Sequence, residues 1–292
     1  MHLPEAIDLK PGEALAFTGA GGKTSAMFAL AKSLELPVVL TTTTHLGAWQ
    51  AALAQAHHVI DSPDQIEDIN FHRSQTTLIT GPASTDQRLA GPPVDALNAL
   101  YRRCREDALP LLIEADGARQ RSLKAPADYE PVVPGWVDAV VVMAGLAGLG
   151  KPLDEENVHR PEIFSQMTGC ALGQPVTPDH LRALLASPQG GRKGIPAGAR
   201  GICFLNQAEG DRLVATGQQL AGELAGHYKR VLVGSLHAPE QAGPIFSVHA
   251  RTAGVILAAG GSERLGRPKQ LLDWGEVPFV RQVALNALEA GL

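Results

Sequence analysis

Four stretches of this chain are apolar or β-branched almost from end to end: ALAFTG (14–19), VVLTTTT (38–44), LLIEADG (111–117) and AVVVMAG (139–145). A strand with one wet face alternates apolar with polar residues; one that does not alternate has to bury both faces. Helical spacing fills the gaps between such runs, at Thr24–Leu34, in GAWQAALAQA, at Pro93–Glu106, near Pro161–Met167, in VTPDHLRALLA and at Asp211–Leu224. TTLITG (76–81), GICFLNQ and RVLVGSL read as further strands. Thr177 is placed to cap its helix, with Pro178 at the first helical position. This pattern predicts an α/β fold, a doubly wound, mostly parallel sheet with helices on both faces. Hydrophobic residues make up 45% of 292, enough to build that core.

The stretch FTGAGGKTS (17–25) follows the first strand and opens a helix. Backbone amides and a helix N-terminus can cradle phosphate there, with glycines letting the chain approach closely. Gly19, Ala20, Gly21, Gly22, Lys23, Thr24 and Ser25 are therefore candidate nucleotide ligands, making the fold P-loop-like. Lys23 would offset β/γ-phosphate charge and the Thr24 hydroxyl would help hold Mg²⁺. Against the pattern G-x-x-x-x-G-K-S/T, Phe17 stands where the first glycine belongs. Glu114 or Asp116, at the end of LLIEADG, could hold the metal. Asn206 and Glu209, in LNQAE, resemble the base-reading N-K-x-D motif of GTPases, with Lys replaced by Gln207 and Asp by Glu209. Thr41–Thr44 and His45 end another strand. Arg119, His159 and Arg160 form a candidate anion clamp, with Arg121 and Lys124 nearby.

The net charge of −5 and an aromatic content of 4% argue against nucleic acid as a partner. No early apolar h-region marks a signal peptide. The longest uncharged apolar run, Ala139–Leu149, is too short to span a bilayer, so no membrane is expected. Cys104, Cys170 and Cys203 lie far apart without C-x-x-C spacing, which fits reduced thiols and a cytoplasmic location.

Taken together, GAGGKT, VVLTTTTH, LLIEADGAR with KAPADYEPVVP, and VHRPE resemble the YqeC family, over about residues 5 to 236. The resemblance implies a nucleotide-dependent accessory factor for selenium-dependent molybdenum hydroxylases; the loop and its carboxylates make ATP or GTP with Mg²⁺ the expected ligands. It also implies a molybdopterin-type cofactor and, as partners, a molybdenum hydroxylase or cofactor-loading proteins.

Near the end, LAAGGSERLGRPKQLL (257–272) resembles the signature of MobA-like nucleotidyltransferases of the molybdenum cofactor cytidylyltransferase type. The resemblance makes Ala259, Gly260, Gly261, Arg264 and Lys269 a second phosphate loop. The expected organisation is a nucleotide-binding domain at 1–236, a linker at 237–253, and at 254–292 an incomplete second α/β segment that begins with the strand VILAAG. Three activities are in play: slow NTP hydrolysis, nucleotide binding without hydrolysis, and transfer of a cytidine or guanosine nucleotide to molybdopterin.

Overall fold

A computed structural model describes residues 1–85, 87–238, 243–251, 254–260 and 265–290. They form two compact units, Met1–His249 and Ala250–Leu292.

The first unit opens with helix α1 (Leu3–Ile7), strand β1 (Ala14–Gly19), helix α2 (Lys23–Lys32) and strand β2 (Val38–Thr42). Next come β3 (His45–Gly47), β4 (Ala56–Val59), β5 (Thr76–Thr80), β6 (Ala83–Thr85), β7 (Arg88–Ala90) and α3 (Val94–Glu106). After them run β8 (Leu111–Glu114), β9 (Leu123–Lys124), β10 (Ala139–Gly145), β11 (Val158–His159), α4 (Pro161–Thr168) and α5 (Pro178–Ala186). The unit closes with β12 (Arg200–Asn206), α6 (Asp211–Leu224), β13 (Arg230–Gly234) and β14 (Ile245–His249).

Nine strands make one sheet, in the order β14-β13-β12-β10-β1-β8-β2-β5-β4. All neighbours are parallel except β13 and β14. Successive residues of β1 point into different cores, as the absence of alternation requires. Ala14 and Ala16 join a cluster with Leu97 and Leu100 of α3, Leu181 of α5 and Leu220 of α6. Leu15 and Phe17 join a second cluster with Ile7 of α1 and Met27 and Leu30 of α2. Phe17, at the expected glycine position, is fully buried, and burying such a ring contributes about 1.5–3 kcal/mol. Its role is packing.

The parallel register brings several strand ends to one edge. Phe17 and Thr42 both lie opposite Glu114, Gly19 lies opposite Met143, and Gly145 opposite Asn206. That is the edge where α/β sheets bind ligands.

Three expectations change. GAWQAALAQA is not one helix: Ala48–Leu53 is a 3-10 turn, and Ala56–Val59 is strand β4 beside β5. Only Ala56 of that segment enters the edge strand, where β5 supplies the hydrogen bonds, while the alanine-rich part before it keeps short-range ones of its own, such as Ala54 N to Ala51 O. The linker read at 237–253 contains β14, which covers the free edge of β13. VILAAG forms no strand, since residues 254–260 carry no regular structure. In the second unit β15 (Asp273–Trp274) and β16 (Val277–Pro278) pair with each other, and α7 (Phe279–Glu289) follows. Neither offers residues 254–260 a paired edge among the described residues. No helix of the described residues is long and apolar enough to cross a membrane.

Candidate functional site

The turn from β1 into α2 divides its amides into two sets. Gly19 N donates to Asp116 Oδ2 (2.9 Å), Ala20 N to Met143 O (2.9 Å) and Gly21 N to Arg121 O (3.0 Å). These three fasten the loop to the sheet. The next four, Gly22 to Ser25, are the first amides of α2, which have no acceptor within the helix, and no side chain caps them. The four residues that carry them line a cleft of about 930 Å³. Gly21 has φ +80°, and a Cβ there would lie 2.4 Å from Gly145 N, so only glycine fits.

Lys23 and the strand-end carboxylates meet here. Lys23 Nζ donates to Gly19 O (2.7 Å) and lies 3.1 Å from Asp116 Oδ1 and 3.9 Å from Glu114 Oε1. Thr24 Oγ1 donates to Glu114 Oε2 at 2.5 Å. Lys124 Nζ lies 2.8 Å from Asp116 and 2.7 Å from Glu130, and donates to Gly117 O (2.6 Å). Arg160 closes the series with a fork onto Glu130, at 2.6 and 3.0 Å. The result is an alternating chain of six charges, Glu114–Lys23–Asp116–Lys124–Glu130–Arg160. The side chains of its first five members are at most 9% exposed.

Burial works against the Lys23 ammonium, but Asp116 and Glu114 outweigh it and hold the group above its ordinary value. Burial pushes the Glu114 carboxyl up, and Lys23 and Thr24 only partly counter it. The two directions agree once distance is considered, because Asp116 is the nearer counter-ion of Lys23. For Glu130 burial raises the carboxyl, yet the hydrogen bonds from Arg160 and Lys124 prevail and hold it low. His159 is pushed down to about 4 by burial, then by Arg160 and Lys124. Its ring is neutral at neutral pH.

The cleft draws on widely separated segments. Thr43 and Thr44 follow β2 and His45 opens β3, while Arg119 and Arg121 come from the loop after β8, and His159 and Arg160 from β11 into α4. Trp49 and Tyr129, 62% and 75% exposed, also line it. Five cations (Lys23, Arg88, Arg119, Arg121, Arg160) face two carboxylates (Glu114, Glu130) in a chain of net charge −5. Arg119, Gln120, Arg160 and Gln207 all have φ between +47° and +67°, and all four line the cleft. Left-handed backbone at non-glycine residues concentrates where geometry serves a site.

The structure therefore brings Gly21–Ser25, Glu114, Arg119, His159 and Arg160 to one cleft. Gly19, Ala20 and Asp116 lie behind it. Asn206 and Glu209 are not part of its wall. Asn206 is 4% exposed; its Nδ2 donates to Gly21 O (2.7 Å) and its Oδ1 accepts from Leu236 N (3.1 Å). Both amide groups are thus committed to fixing the loop, while Glu209 faces Ser235 and His237. Glu130 and Gln207 are cleft residues that sequence patterns did not assign. The burial of Lys124 was equally hidden, although its apolar neighbours Leu123 and Ala125 are a sign of it. In the second unit, Gln270 Nε2 donates to Ala258 O beside Ala259 and Gly260, and Lys269 opens a 3-10 turn. Gly261 and Arg264 lie outside the described residues.

The YqeC protein family model matches residues 15–162, and the MobA-like NTP transferase domain model matches residues 254–292. The chain is 32% identical over 200 residues to uncharacterized protein YqeC of Escherichia coli (strain K12), covering 66% of this chain and 75% of that protein. No solved structure matches it. The cleft's loop, its strand-end carboxylates and its VHRPE wall up to Glu162 all lie within the family match. The chain belongs to the YqeC family, and carries a stretch matching a MobA-like NTP transferase domain after it.

Proposed function

We propose that the cleft binds the phosphates of ATP or GTP together with Mg²⁺, and that the chain is a nucleotide-dependent accessory factor in maturing molybdenum-cofactor-dependent hydroxylases. The observation that carries this reading is the uncapped first turn of α2, Gly22 to Ser25, lining a basic cleft beside Lys23. Four aligned amides and the positive end of a helix suit a polyphosphate.

The donor set suits Mg²⁺ of the kind that shares its ligands with a nucleotide. Thr24 and Glu114 offer one hydroxyl and one carboxylate, already in contact. Mg²⁺ commonly takes one or two carboxylates and completes its shell with phosphate and water. Asp116 fits less well, because Lys23 and Lys124 both hold it. When bound, the metal would neutralise charge between phosphates.

The fastening of Asp116 favours a binding switch, or slow turnover, over fast hydrolysis. A base that accepts from Gly19 N and pairs with two lysines is poorly placed to activate water. A molybdopterin-type cofactor and a client hydroxylase are the partners this reading implies. The stretch at 254–292, which matches a MobA-like NTP transferase domain, supports a link to cofactor nucleotide chemistry.

Calorimetry with Mg·ATP and Mg·GTP, with and without EDTA, tests the proposal, alongside phosphate release. Lys23→Ala should weaken Mg-nucleotide binding by about 1.5–3 kcal/mol, the worth of a charge-assisted contact. Unchanged affinity in that variant would remove the reading.

A further inference from the structure

The amides of α2 and Lys23 account for one polyphosphate, yet much of the basic wall stands elsewhere in the cleft. Arg119 has no hydrogen bond or carboxylate partner among the described residues, and lies near enough to His159 to lower its basicity. The Arg121 guanidinium donates to the carbonyl of Glu155, at 2.8 Å, and no carboxylate among the described residues neutralises it. His159 is held beside Lys124 by the β9–β11 pairing, and Arg160 follows it. Two arginines without counter-charge on one wall, backed by a third on the buried ionic chain, suit an anion. At about 930 Å³ the cleft is near the upper end of the usual range for ligand pockets, about 300–1,000 Å³.

We propose that the wall of Arg119, Arg121, His159 and Arg160 is a second anion site, for a phosphate- or carboxylate-bearing ligand other than the nucleotide, and that its occupation opposes nucleotide binding at Lys23. This rests on the nucleotide reading for its coupling, but the site itself does not.

The coupling follows from the order of charges. An anion at the wall draws Arg160 from Glu130, which it holds at 2.6 Å. Glu130 then depends on Lys124 alone, and Lys124 shares itself less with Asp116. Asp116 must take more from Lys23, 3.1 Å away, and keeps that ammonium from an incoming phosphate. Buried charges cannot be left unpaired cheaply, so each shift forces the next. By linkage, nucleotide at Lys23 weakens the wall's hold on its anion by the same factor.

The test is calorimetry of the full chain with a non-hydrolysable Mg·ATP analogue against rising inorganic phosphate, with a parallel succinate arm. Sodium chloride holds ionic strength constant. The apparent nucleotide Kd should rise about fivefold or more and then level off, because both ligands are bound at the plateau. An effect from phosphate only, or from both anions, identifies the chemistry accepted. Arg119→Gln removes a side chain that holds nothing else in the fold, and should raise the phosphate needed about tenfold. Arg160→Gln should lower the plateau. A rise that never levels off means that phosphate simply competes at α2, and overturns the proposal. So does no rise beyond the chloride control, or an Arg119→Gln variant with an unchanged phosphate requirement. Should no nucleotide bind at all, the proposed function fails. Phosphate titrated into Lys23→Ala, with and without Arg119→Gln, then decides the wall site by itself: heat lost with Arg119 supports it, and heat unaffected overturns it.

Discussion

Replacing Lys124 by methionine removes the centre of the buried ionic chain while leaving an apolar stem of similar length. The lysine lies 2.8 Å from Asp116 and 2.7 Å from Glu130, with its side chain only 1% exposed. At an effective dielectric of about 20, each contact is worth about 6 kcal/mol of gross attraction. Most of that is offset by the desolvation of the three charges. What remains when one partner of a buried pair is lost is about 3–5 kcal/mol. Asp116 keeps Lys23 and Gly19 N, and Glu130 keeps Arg160, which places the expected loss near 3 kcal/mol at neutral pH. That is a large fraction of the roughly 5–15 kcal/mol by which domains are stable. The deficit should depend on pH. Glu130 is held below its ordinary value in the native protein, so its stabilisation is present above the unfolded pKa and is lost as pH falls through the folded one. In the variant Glu130 loses one of the two cations that lower it, so there is less to lose on acidification. The gap between the two proteins should stay level from about pH 7 down to the ordinary carboxylate value of 4.5, and narrow as pH falls below it towards the folded value of Glu130. Urea unfolding followed by circular dichroism at several pH values measures this. A loss under about 1 kcal/mol at pH 7, or a gap that does not change with pH, would refute the idea that these charges depend on Lys124.

Asn206→Ala strips partners from Gly21 O and Leu236 N, and should cost about 2–4 kcal/mol, read by urea unfolding. The same variant should weaken ATP and GTP equally, since Asn206 fixes the loop and does not read the base; a selective loss of GTP would count against that. Cys104 and Cys203 are buried, and burial pushes the Cys104 thiol up to about 12. Both should stay unmodified by a thiol reagent in the folded protein and react on unfolding; fast labelling in the native state would contradict the burial.

Much of the fold could be read directly from local pattern. Apolar runs without alternation fixed β1, β2, β8 and β10 as doubly buried parallel strands, because a strand bearing no polar face has no face to show to water. Helix α5 was legible down to its cap, since Thr177 and Pro178 act on their immediate neighbours. GAGGKT announced a tight turn into a helix for the same reason. Failures arose where an edge decided the outcome. Ala56–Val59 and Ile245–His249 became strands only because β5 and β13 offered them free hydrogen-bonding edges. Residues 254–260 had the right composition for a strand and, among the described residues, pair with no edge.

The site divides along the same line. Sequence named Lys23, Thr24, Glu114, Arg119, His159 and Arg160 by residue type and position. Tertiary structure alone decided that Asp116 is fastened between two lysines, that Asn206 spends its amide on Gly21 and Leu236, and that Glu209 is not part of the cleft. It also decided that Lys124 and Glu130, both distant from the loop in sequence, join Lys23 and Arg160 into one ionic chain. A residue's chemistry is local, but its partners are chosen by chain crossings of the sheet, and a charge acquires its role only from the partner it is buried against.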